Sequence, residues 1–334
     1  MPLALALSIL FSMLLSLSIA PACIRLATRV GMVDDPGSLP HKIHSVPTPR
    51  AGGLVIFIAF LIVAMATGVL LKSAVRTIFL GSLAVFAAGL WDDAKGIGAL
   101  PKVAGQILGG ILLVQGGVVI QFLHNPAIDT ALTLFWIIGI TNAYNLVDSM
   151  DGQAIGLAGL AAAFLMLATM NSGQANSAAF AAIIVGACAG LAFYNITPAR
   201  LFLGDSGSQL LGFWLAGLGI VFTPASSIPQ LSSWFVPIML MLVPILDTTL
   251  VTTSRLRSQR PFYVAGRDHT YHRLVALGIS SSHAVLAILL ASAAAGCLAF
   301  IALALPPLWA NLVFFVTVLA GCGAVVWLQS RTSS

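Results

Sequence analysis

The chain has 334 residues, 59% hydrophobic and 7% charged, against roughly 25% charged in an ordinary soluble domain. This excludes a soluble globular fold, and the 31 glycines suit membrane helices, whose backbones approach closely where residues are small. The net charge of +5 points to no nucleic acid, because membrane topology alone produces basic cytoplasmic loops.

A helix needs about 20 apolar residues to cross a bilayer. The apolar runs predict an all-α, polytopic membrane protein with eleven spans, near 2–23, 51–71, 76–91, 103–120, 129–146, 154–171, 177–194, 208–223, 232–253, 283–304 and 308–328. They form one integral domain over 1–334. The first run lacks a basic leader and is expected to stay as a helix. Cys23, Cys188, Cys297 and Cys322 have no metal-ligand spacing and read as buried small hydrophobes. With eleven spans, the loops 24–50, 92–102, 147–153, 195–207, 254–282 and the tail share one face. That face takes thirteen of the fifteen cations and leaves Lys72 and Arg76 opposite. The positive-inside rule then places the N-terminus outside and the C-terminus and large loops in the cytoplasm.

All ten acids are aspartates, and eight fall on the same face, which the charge rule does not require. The first loop, DDPGSLPHKIHSVPTPRAGG, offers Lys42, His44 and Arg50 to a substrate within a proline-braced segment. In WDDAKG, Asp92 and Asp93 repel each other unless a cation or protons intervene. The pair suggests a metal, a base or a cationic partner; the plainer reading is a solvated helix end. In TNAYNLVDSMDG, Asn142, Asn145, Asp148 and Asp151 recur every third residue. Each step of three drifts by about 60° on a helix, so the helix is expected to end inside the motif. Alternatively, Asp151 caps the next helix and the asparagines bond neighbouring ones. In FLGDSGS, Asp205 is either an N-cap or a hard oxygen ligand for Mg²⁺. Asp247 lies inside an apolar run and requires a buried partner or a polar cavity. The last loop, SRLRSQRPFYVAGRDHTYHRL, brings five arginines, Arg267 among them, with Asp268, His269 and His272. Arginine forks bind phosphate, and attraction to anionic lipid is the plainer alternative. Phosphate-binding cations, oxygens for Mg²⁺ and polar groups for a sugar on one face imply a phosphorylated substrate.

In order and spacing, these five motifs over residues 34–274 resemble the polyprenyl-phosphate N-acetylhexosamine-1-phosphate transferase family. The resemblance implies a bacterial inner-membrane enzyme that moves a sugar 1-phosphate from a UDP-sugar to a polyprenyl phosphate, releases UMP, and starts a cell-envelope glycan. It implies Mg²⁺, with Mn²⁺ as the alternative ion, and admits a homodimer in the bilayer. By the same resemblance Asp205 is the main metal ligand with Asn145 beside it. Asp92 and Asp93 are the aspartate pair on the lipid-phosphate side, and Lys102 is the lysine near the diphosphate. Asp148 and Asp151 belong to the uridine-binding stretch, and His269 and His272 to the donor-recognition motif. Two positions depart from the family pattern: Gly96 stands where many relatives have an acid or lysine, and Tyr271 replaces one imidazole of the histidine motif. A transporter or flippase of a phosphorylated lipid is the rival reading, but it expects repeats and mid-membrane binding groups.

Overall fold

In the computed structural model, the described residues are 1–36, 46–259, 266 and 268–332. Among them every predicted apolar run carries a helix, although the helix in 103–120 stops at Gln115 and the run 232–253 is broken between Leu240 and Leu242. The helices are α1 (Pro2–Val30), α2 (Gly52–Thr67), α3 (Ser73–Lys95), α4 (Ala99–Gln115), α5 (Pro126–Val147), α6 (Gln153–Asn171), α7 (Ala175–Asn195), α8 (Gly204–Val221), α9 (Val236–Leu240), α10 (Leu242–Arg257), α11 (Thr270–Ala276), α12 (Ser281–Leu303) and α13 (Pro307–Thr332). The fold is thus nearly all α. Among the described residues the strands are one antiparallel pair, β1 (Val33–Asp34) with β2 (Thr48–Pro49), in the register Val33 to Pro49 and Asp34 to Thr48.

Among the described residues seven helices, α1, α3, α5, α6, α7, α12 and α13, are long and apolar enough to cross a membrane. An eighth crossing arises if the segments Gln230–Leu240 and Leu242–Arg257, bent by 61° from one another, form one broken span. Pro244 sits two residues past the break, and its missing N–H removes the bond to the carbonyl four residues earlier. α2 and α4 are shorter, with 16 and 17 residues. Helix ends also run past the apolar runs. α1 continues through Pro21, Arg25 and Arg29 to Val30, and α3 takes in Asp92, Asp93 and Lys95, because polar residues extend a helix at the membrane edge at no apolar cost.

The chain falls into two compact units, Met1–Thr223 and Pro224–Ser334. In the first, α8 is the buried axis. Its residues Ser206–Gly219 are all buried, and it packs against α2, α3, α5, α6 and α7. Trp214 in its middle is fully buried, touches Phe60 and Phe180, and donates its indole N–H to Ser82 Oγ at 2.8 Å. In lipid, such packing and interhelical hydrogen bonds, not exclusion from water, hold helices together. α1 and α7 follow the same rule: Ser12 and Ser16 of α1 donate to the carbonyls of Ile183 and Ala187 at 2.8 and 3.0 Å. In the second unit, α12 and α13 pack together and α10 packs against both. Cys23 and Cys188 are buried as expected, but Cys297 and Cys322 are exposed. An outward face that meets acyl chains does not require a thiol to be inside the protein.

Candidate active site

Successive residues on a helix diverge by 100°, so the adjacent carboxylates at the end of α3 point different ways. Asp92 faces α4: its Oδ1 accepts the Gly98 N–H at 3.1 Å and its Oδ2 the Lys102 ammonium at 3.3 Å. Lys102 reaches past Asp92 and also pairs closely with Asp205 in the first turn of α8. The other oxygen of Asp205 accepts Asn145 Nδ2 at 3.2 Å, and the same amide donates to Ser208 Oγ at 3.0 Å. Asp92, Lys102, Asn145 and Asp205 are therefore one cluster built from the ends of α3, α4, α5 and α8. Asp93 turns inward, 7% exposed, and accepts from the backbone of Asp205 and Ser206 at 2.8 and 3.0 Å.

One turn deeper along the same helices lies an uncharged layer. Gln106 donates to Gln209 at 3.0 Å, and Asn142 donates to Gln106 at 2.7 Å. Asn142, expected to bind substrate, is thus engaged with buried amides and with the Ile138 carbonyl. α5 ends at Val147, inside its motif as the threefold spacing requires. Asp148 stands at its C-terminal cap, where burial, then the charges of Asp205, Asp93 and Asp151, raises its pKa well above the ordinary 3.8. Asp151 makes no cap for α6, whose N-cap is Gly152 without a side-chain bond; it accepts the Ala199 N–H at 3.0 Å instead. Together with Asn195, which bonds Gly152 N at 3.2 Å and the Leu201 carbonyl at 2.9 Å, it fixes the loop leading into α8.

The first loop reaches the site through backbone. Phe202 N–H donates to the Pro49 carbonyl, and the Gly52 and Gly53 N–H groups donate to the carbonyls of Phe202 and Leu203, all at 2.9 Å. A side chain on Gly52 would sit 2.7 Å from Leu203 Cα, so the glycines after Arg50 let the two segments touch. The Arg50 guanidinium pairs with Asp34. Lys42, His44 and Arg267 lie outside the described residues.

In the second unit Asp247 has the partner its burial demands. Its Oδ2 meets His269 Nδ1 at 2.8 Å, and its Oδ1 accepts the Thr270 N–H at 2.7 Å. The His272 ring lies 5.8 Å from that of His269. Arg255 pairs with Asp268 at 3.3 Å, and Arg273 donates to Ser254 Oγ at 2.8 Å.

The sequence profile of glycosyl transferase family 4 matches residues 75–223, the segment that carries the Asp92, Asn145 and Asp205 motifs. The chain is 32% identical over 288 residues to a probable undecaprenyl-phosphate N-acetylglucosaminyl 1-phosphate transferase of Bacillus subtilis (strain 168), covering 84% of this chain and 79% of that one. The chain belongs to glycosyl transferase family 4. It is also 31% identical over 303 residues to a decaprenyl-phosphate N-acetylglucosaminephosphotransferase of Mycobacterium tuberculosis (strain ATCC 25618 / H37Rv), covering 79% of this chain and 74% of that one. A phospho-N-acetylmuramoyl-pentapeptide-transferase of Levilactobacillus brevis is 31% identical over 214 residues, 57% of this chain and 66% of that one.

This family 4 site suits a hard divalent cation. Among the described residues, Asp92, Asp93, Asp148 and Asp205 bring four carboxylates together with the ammonium of Lys102; burial first, and then the neighbouring carboxylates, raise the pKa of Asp148. Among the described residues no group of three or more His, Cys, Asp or Glu could hold a metal. Mg²⁺ typically uses one or two carboxylates and leaves its other positions to water and phosphate. By the resemblance, Asp205 and Asn145 are the residues that would hold it, and Asn145 Nδ2 donates to Asp205 Oδ1 at 3.2 Å. Sequence reasoning missed Ser206, Ser208, Gln106, Gln209 and Asn195; their signal was polarity within apolar helices, which by itself does not say which neighbour each side chain meets.

Proposed function

We propose that this chain transfers N-acetylhexosamine 1-phosphate from a UDP-sugar to undecaprenyl phosphate at the cytoplasmic face of a bacterial inner membrane, releasing UMP and leaving a diphosphate between lipid and sugar. Membership of family 4 supports the reaction class. The observation that carries the reading for the site is Lys102 held between Asp92 and Asp205 beside Asn145. These groups sit at the ends of α3, α4, α5 and α8. A flippase, in contrast, would need its binding groups near the midplane.

Two phosphorylated substrates repel one another, and cations must offset that repulsion before their phosphates can meet. Lys102 supplies one fixed cation with three donors. Mg²⁺ on Asp205 and Asn145 would neutralise phosphate charge and stabilise the departing UMP. The second pKa of a phosphate lies near 6, so the acceptor is already a nucleophile at neutral pH. Asp92, with its carboxylate on Lys102 and the Gly98 N–H, orients that ammonium rather than abstracting a proton. By the family reading, His269 and His272 belong to donor recognition.

Purified protein given undecaprenyl phosphate, Mg²⁺ and a panel of UDP-sugars should form a lipid diphosphosugar identifiable by mass. Radiolabelled UMP should exchange into the UDP-sugar pool, because attack at phosphorus conserves a high-energy linkage and so runs backwards. Release of UDP, or a single phosphate between lipid and sugar, would overturn the phosphotransferase assignment. Chelation should abolish turnover, and Mg²⁺ or Mn²⁺ should restore it.

A further inference from the structure

The two carboxylates of the Asp92–Asp93 pair are engaged differently. Asp92 has its oxygens on Lys102 and the Gly98 N–H. Asp93 has both oxygens on α8: Oδ1 accepts the Asp205 N–H at 2.8 Å, and Oδ2 accepts the Ser206 N–H at 3.0 Å and the Ser206 hydroxyl at 2.5 Å. A carboxylate offers about four lone-pair sites. Three of those of Asp93 are taken by one helix turn.

That turn lacks a cap of its own. The N-cap of α8 is Leu203, whose side chain makes no capping bond, although the first N–H groups of a helix have no partner within it. Asp93 satisfies two of them from another helix, 112 residues away in sequence from the first. The surrounding glycines are cut to this fit. A Cβ on Gly204, which has φ +74°, would lie 2.8 Å from both Asp93 oxygens, and a Cβ on Gly89, one turn before Asp93, would lie 2.6 Å from Ser206 Cα. On the other side of the turn, a Cβ on Gly53 would meet Ser206 Oγ and Gly207 N. A negative charge at a helix N-terminus is favourable in itself, but here the turn that it holds is the one bearing Asp205.

We infer that Asp93 is a positioning residue: it serves the reaction as an inter-helix cap that aims the Asp205 carboxylate, while Asp92 alone of the pair faces the reacting groups. The inference rests on the reading of Asp205 as the cation ligand. Both are tested by measuring Mn²⁺ binding to the full-length protein without substrates, from the loss of the free-ion electron paramagnetic signal, alongside turnover and thermal melting. Asp205→Asn should abolish specific Mn²⁺ binding; if it does not, the ligand reading falls and the inference with it. Asp93→Asn puts an amide N–H against the Ser206 N–H. It should weaken Mn²⁺ binding at least tenfold and lower kcat in step, with the KM for the UDP-sugar changed less than threefold. Ser206→Ala removes one of the three bonds from the α8 side and should weaken Mn²⁺ several-fold. Combined with Asp93→Asn it should add little. Two results overturn the inference while leaving the ligand reading intact. One is a turnover loss of a thousandfold in Asp93→Asn with unchanged Mn²⁺ affinity, the mark of a group acting on the reactants. The other is unchanged Mn²⁺ affinity in Ser206→Ala when Asp93→Asn has lost it, the mark of Asp93 as a ligand in its own right. Should Asp93→Asn fail to fold, Ser206→Ala and Gly204→Ala decide the matter by the same Mn²⁺ readout, and unchanged affinity in both overturns it.

Discussion

A single side chain decides the chemistry at Asp205. Had its carboxylate been an N-cap, Asn would replace it with little loss, but it stands inside the first turn and faces Lys102 and Asn145. Asp205→Asn should therefore insert and fold yet lose turnover by a factor on the order of 10² to 10³, as removal of one preorganised electrostatic group does; a lipid-product assay beside a melting curve reads both. Asp148 gives a pH prediction. Its folded pKa is raised, so the folded state binds the proton more tightly than the unfolded chain. Its contribution is most favourable below the ordinary 3.8 and is lost as pH climbs from there toward the raised value. Asp148→Asn, which mimics the protonated acid, should raise the melting temperature at pH 7 without divalent ions and flatten that acid-side dependence. A lower Tm at pH 7 would contradict it.

At the scale of elements, the site depends on how closely three backbones approach. Gly89 of α3, Gly53 of α2 and Gly204 of α8 each leave no room for a Cβ near the first turn of α8. Backbone cannot yield as a flexible side chain can, so Gly89→Ala should cost about 1–3 kcal/mol by overpacking. It should be seen as a lower Tm together with lost turnover. Gly139, with nothing within 4 Å of an added Cβ, is the matched control and should tolerate Ala. The apolar runs made the long helices legible in the sequence, and the threefold spacing correctly ended α5 within its motif, but α11 lies in the segment 254–282 that read as a loop and the break between α9 and α10 falls inside one apolar run. The ends of α1 and α3 were not legible. Arg25, Arg29, Asp92 and Asp93 look like loop residues by hydropathy, yet continue helices whose polar ends need no lipid.

For the whole molecule, eleven crossings require α2, α4, α8 and the bent α9–α10 segment to join the seven long apolar helices. α2 is only about 24 Å long at 1.5 Å per residue. α8 is enclosed by protein, so it needs no lipid-facing apolar surface. The thirteen-to-two division of cations predicts that reporters joined after residues 98 and 266 read cytoplasmic and one near residue 174 reads external. Opposite sides for 98 and 266 would defeat this topology.

The sequence by itself determined the membrane class, the long apolar helices, the family and the motifs that carry Asp92, Lys102, Asn145 and Asp205, because hydropathy is local and charges are rare enough in this chain to stand out. It left open what each polar group meets. Neighbouring aspartates in one motif proved to face different helices. Asn142 proved to bond Gln106, Asp151 to hold the α7–α8 loop rather than cap α6, and Asp247 to hold His269 within the second unit. Those outcomes depend on helix rotation and, apart from the bonds of Asp92, on contacts more than 20 residues apart in the chain, and rotation is fixed only when glycines, amides and caps from several helices close on one another.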